Sequence, residues 1–125
     1  MEQSVSHVIG SDSIGKPGLA EALERVGDAD LLRELVAIFT AEACADLEAL
    51  RRAVKRRDTA MLAGVAHSLK GALRTLGAEP AARTAEWLER VARERQLDCA
   101  VPLVALLCQE VEDFVRVAST WFGAP

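Results

Sequence analysis

From residue 17 onward, apolar residues recur at steps of three and four, and the pattern breaks only where residues that start or stop helices cluster. Leu19, Ala22, Leu23 and Val26 mark a short first helix. Pro17 can open it, because a missing amide proton costs nothing in a first turn, and Gly27 suits its C-terminal cap. Asp28 is a good N-cap for a long second helix reaching about Arg57. Its stripe is Leu31, Leu32, Leu35, Ile38, Phe39, Ala43, Leu47, Leu50 and Val54. Asp58 caps a third helix, striped by Leu62, Val65, Leu69, Leu73 and Leu76 and ending at Gly77. Glu79-Pro80 opens a fourth, whose inner face is Ala81, Ala85, Leu88, Val91 and Ala92, with Trp87 at its edge. Gln96-Leu97-Asp98 reads as a loop, and Pro102 as the start of a last helix carrying Leu103, Leu106, Leu107, Val111, Phe114, Val115 and Ala118. Trp121 and Phe122 are placed to cover the end of the assembly. Four substantial amphipathic helices with short connections predict an all-α, up-down antiparallel four-helix bundle over residues 17–125, with a short additional N-terminal helix. Residues 1–16 have little periodicity and several Gly and Ser, which predicts a flexible tail; His7 lies there without a companion ligand or base.

The third helix is unusual on its polar side. His67, Lys70, Gly71 and Arg74 keep helical spacing opposite the leucine stripe, so the imidazole should face solvent. A glycine inside a helix costs about 1 kcal/mol relative to alanine, and this helix holds two, Gly64 and Gly71, on the histidine's face. Core packing does not explain them, but access does. With no side chain one turn to either side, a bulky group can descend onto the ring. Ala60, Ala63 and Gly64 upstream and Ala78 downstream keep the same face low, which makes Ala63, Gly64, Arg74 and Ala78 candidate partner contacts. A nucleophilic nitrogen, a neighbouring cation in Lys70 and a cleared approach suit an incoming phosphoryl group.

Other chemistries fit less well. No second His, Cys or carboxylate stands at i+3 or i+4 from His67 to share a metal ion, so no metal site is expected. Ser68 points away from His67 along the helix, and no nucleophile elbow is present. Nor is there a glycine-rich phosphate loop, so the chain should neither bind ATP nor phosphorylate itself.

Composition narrows the classes further. The net charge of −4 offers no basic footprint for nucleic acid. Cys44, Cys99 and Cys108 are odd in number and lack ligand spacing, which suggests small buried hydrophobes in a reducing cytoplasm. No apolar run approaches the ~20 residues that span a bilayer, and no signal peptide opens the chain, so a cytoplasmic protein without membrane insertion is expected. Arg51, Arg52, Lys55, Arg56 and Arg57 gather at the end of the second helix, where they complement its dipole or form a docking patch for an acidic partner.

His67-Ser68-Leu69-Lys70-Gly71, followed by Gly77-Ala78, resembles the signature of histidine-containing phosphotransfer (HPt) domains. Asp30-Leu31-Leu32-Arg33-Glu34-Leu35 with Phe39 resembles that family's preceding helix, and Leu88-Glu89 a pair on its following one, so the likeness covers roughly residues 19–118. It implies that His67 accepts a phosphoryl group from an aspartate of a receiver domain, in a response regulator or hybrid histidine kinase, and passes it to another. Lys70 would then neutralise phosphoryl oxygens, and Gly71 and Gly64 would admit the receiver's loops. Glu89 stands where some members carry Gln bonded to the histidine; if it faces His67, it could accept a hydrogen bond from Nδ1. Arg74 could meet the phosphoryl group or an acidic receiver rim, or be a solvated side chain. Such a protein is a phosphoryl carrier rather than a self-sufficient enzyme. It is expected to be monomeric and to bind no cofactor itself, with Mg²⁺ on the receiver. The alternative is a non-catalytic helical module that binds and modulates a receiver or kinase.

Overall fold

The computed structural model describes residues 16–122, so most of the expected tail, with His7, lies outside the described residues. The described chain is all helix: α1 (Lys16–Val26), α2 (Ala29–Arg56), α3 (Thr59–Thr75), α4 (Glu79–Arg93) and α5 (Leu97–Trp121). Each boundary has a local cause. Gly27 ends α1 at φ 77°, and its amide donates to the Leu23 carbonyl at 2.7 Å. The Asp28 carboxylate accepts from the amides of Asp30 and Leu31, and that of Asp58 from Met61. Arg57 takes the left-handed conformation at φ 55° that closes α2. Pro80 sits in the first turn of α4.

The long helices α2 to α5 each pack on the next, and α2 also meets α5, so they ring one core. Phe39 of α2 meets Phe114 of α5 edge-to-face at 5.9 Å, among the fully buried Leu32, Leu50, Leu62, Leu73, Leu88 and Leu107. The pairing of α3 with α4 is the most extensive. Both bury alanines, Ala63 and Ala66 on one and Ala81, Ala82, Ala85 and Ala92 on the other, side chains small enough to let two helix backbones come close. At the far end Trp121 and Phe122 pack edge-to-face at 5.0 Å, with the Arg33 guanidinium 5.2 Å from the Phe122 ring.

Short α1 braces α3. Arg25 donates to the carbonyls of Arg74 and Thr75, satisfying groups that a helix C-terminus leaves free. Gly18 lies directly on the backbone of Gly77, which turns the chain out of α3 at φ 79°. A side chain at Gly18 would occupy the space of the Gly77 carbonyl.

Several expectations need correction. Pro102 lies inside α5 rather than at its start, and Leu97, read as loop, is the first residue of that helix. Leu97 and Ala100 are buried on the face that continues through Leu103 and Val104, and that burial outweighs the one hydrogen bond the proline removes. Leu31, Ile38 and Leu106 are exposed. In α2 the buried set runs through Leu32, Val36, Phe39, Ala43, Leu47, Leu50 and Ala53, and Leu31 and Ile38 fall about 100° off it. Of the cysteines only Cys108 is buried; Cys44 and Cys99 are exposed. No helix among the described residues is long and apolar enough to cross a membrane.

Candidate functional site

His67 sits midway along α3, beyond the buried stripe formed by Leu62, Ala66, Leu69 and Leu73, and its side chain is 62% exposed. Behind the ring stands Glu89 of α4, with a side chain only 11% exposed. Its Oε2 lies 3.0 Å from His67 Nδ1. Two cations reach the same carboxylate. Arg93, one turn along α4, donates to Oε2 from Nε at 3.1 Å and from Nη2 at 2.7 Å. Lys70, crossing from α3, places Nζ 2.9 Å from Oε1, an ion pair rather than an aligned hydrogen bond. Burial works against a charge on Glu89, but Lys70, Arg93 and His67 outweigh it and hold its pKa at about 2.

The proton between His67 and Glu89 can therefore be assigned. An ionised carboxylate has no hydrogen to give, so Nδ1 carries it and donates. In the neutral ring the lone pair is then on Nε2, and among the described residues no protein group bonds to that nitrogen. Either side of the ring is open. Gly64 and Gly71 are exposed, and a Cβ built on either would meet nothing within 4 Å. A groove between α3 and α4, lined by Thr59, Ala60, Ala63, Gly64, Ala92, Arg93 and Arg95, runs along the same face. The arrangement presents a nucleophilic nitrogen, a fixed proton on the far side of the ring and positive charge close by.

Residues 34–117 match the model of the Hpt domain family. The chain belongs to the HPt family. No curated protein and no solved structure gives a significant match. HPt domains serve phosphorelays in two-component signalling and interact there with receiver domains, which places this chain in histidine phosphotransfer.

Within this HPt domain the candidate residues divide. His67, Lys70 and Glu89 form one cluster, with Gly64 and Gly71 on the open face beside it. Ala78 is not on that face: it is fully buried at the turn into α4, where its amide bonds Leu73 and its carbonyl accepts from Ala82. The helix has ended three residues earlier, at Thr75, so extending its spacing to position 78 misplaces the side chain. Ala63 is also buried, at 6% exposure, and contributes only to the floor of the groove. Arg74 is tied within the chain, its Nη2 2.8 Å from Glu86 and its Nε 3.9 Å from Glu79. Arg93 was missed by the sequence reading. Its place four residues after Glu89 on one helix is the signal that could have found it.

Proposed function

We propose that His67 relays a phosphoryl group between aspartates of receiver domains. What carries the reading is the Glu89–His67 contact, which leaves Nε2 of a well-exposed ring with its lone pair available. Nε2 attacks the phosphorus of a receiver's aspartyl phosphate in line. The N–P bond forms as the P–O bond to the aspartate breaks, and that electron pair returns to the aspartate carboxylate. The Nδ1 proton stays on the ring, and Glu89 stabilises the positive charge that the imidazole acquires. Lys70 keeps a cation beside the arriving oxygens, and the lack of side chains at Gly64 and Gly71 lets the receiver's loops reach the ring.

The receiver holds Mg²⁺ and supplies most of the catalytic groups; this chain contributes position and charge, with no cofactor of its own. The four long helices form an up-down antiparallel bundle, so the histidine rests on a rigid element rather than a loop. The domain works as a cytoplasmic monomer. The test is transfer from a phosphorylated receiver domain to native protein and to His67→Ala. An acid-labile, base-stable label on the native protein alone supports the relay. Equal labelling of the variant would overturn it, and binding to receivers without any label would favour a non-catalytic module.

A further inference from the structure

Arg93 plays no part in that mechanism, yet it makes two of the three hydrogen bonds received by Glu89 Oε2. The third comes from His67, so guanidinium and imidazole share one carboxylate oxygen that has only two lone pairs. A neutral amide could orient the ring without adding charge. A carboxylate orients it more strongly, but places a negative charge one ring-width from Nε2, where a phosphoryl dianion must arrive.

Lys70 alone brings the carboxylate to neutrality; Arg93 adds a second cation and leaves the cluster one net positive charge. The two cations are held differently. The Lys70 side chain is 20% exposed and crosses between helices, whereas Arg93 is 61% exposed and bonded along its own helix. Arg93 also stands where two surface grooves meet. One passes Gly64, and the other is lined by Lys70, Glu86, Glu89, Arg90, Arg93 and Glu94.

The geometry points to Arg93 as a positioning residue that balances Glu89, so that a carboxylate can orient His67 without repelling the phosphoryl group. This rests on the phosphotransfer reading above. Arg93 also fixes the carboxylate. With its fork on Oε2 and Lys70 beside Oε1, the plane cannot rotate freely, and Oε2 is delivered to Nδ1.

The experiment compares native protein, Arg93→Ala, Arg93→Lys, Glu89→Gln and the double variant Glu89→Gln/Arg93→Ala in transfer from one receiver domain phosphorylated with acetyl phosphate. Circular dichroism confirms that each is folded, as the exposure of Arg93 leads one to expect. Arg93→Ala should slow transfer roughly tenfold, and Arg93→Lys should keep most of the rate because charge is retained. Removing Arg93 should cost clearly less in the Glu89→Gln background than in the native one, since the amide carries no charge to balance. A native rate in Arg93→Ala, or an equal cost of removing Arg93 in both backgrounds, overturns the proposal. The NMR signal of the His67 Nδ1 proton provides a readout independent of transfer. It should move in Arg93→Ala as Oε2 loses its competing donors, and an unmoved signal also overturns the proposal. Failure of the native protein to accept phosphate, with the signal still moving, would instead sink the phosphotransfer reading and leave the Arg93 contact standing.

Discussion

Stability and transfer should respond in opposite directions to substitution at Gly71. The residue is exposed one turn before the end of α3, and a Cβ added there meets nothing within 4 Å. Only the intrinsic cost of glycine in a helix then counts, about 1 kcal/mol against alanine and slightly less against glutamine. For a domain of this size that gain corresponds to a rise in Tm of roughly 4 °C. The functional effect has the other sign. Gly71 is one turn from His67, and on the proposed mechanism a glutamine side chain there would obstruct the receiver's approach to Nε2. A reacting atom held ~1 Å too far away costs on the order of a hundredfold in rate, so Gly71→Gln should be more stable and about a hundred times slower. Ser68→Ala is the control: it also lies exposed on α3 but about 100° from the histidine, and should leave transfer unchanged. Thermal melts and transfer from a phosphorylated receiver, on the same preparations, give both numbers. A Gly71→Gln protein that transfers at the native rate would refute the access argument, and one that melts lower would show a contact the structure does not contain.

Two more substitutions probe what supports the site. Glu89 has its pKa lowered from 4.5 to about 2, so its charge stabilises the fold above the ordinary carboxylate range, and that contribution is lost as pH falls from about 4.5 towards 2. Melts across this window should drop more steeply for the native protein than for Glu89→Gln; parallel curves would mean that the ion pairs with Lys70 and Arg93 add no stability. Gly18→Ala should cost roughly 2 kcal/mol, because its Cβ would collide with the Gly77 carbonyl and overpacking is expensive. An unchanged Tm would show that α1 is not braced there.

The fold was legible because two signals agreed at most boundaries. Asp28 and Asp58 cap the helices that follow them, and Gly27 turns as a glycine following a helix should. Pro102 misled because the rule that proline begins a helix is local, whereas burial of Leu97 and Ala100 is a tertiary effect. In the site, His67, Lys70 and the two glycines were visible from one helix's periodicity. Their link to Glu89 crosses between helices and needs the α3–α4 packing to fix its distance. Ala78 failed for a related reason: helical spacing carries no information past the residue where the helix stops. Arg93 went unread because a lone arginine on a polar face usually signifies only solvation, and its meaning depends on Glu89 being buried.

On the proposed mechanism phosphate is carried on the Nε2 nitrogen of His67 while Nδ1 keeps its proton against Glu89. Phosphorus–nitrogen and proton–nitrogen NMR correlations on the phosphorylated, ¹⁵N-labelled protein test it most directly. One phosphorus signal coupled to Nε2 of His67 is expected, with the Nδ1 proton still present. Phosphate on Nδ1, or on any residue other than His67, would contradict it.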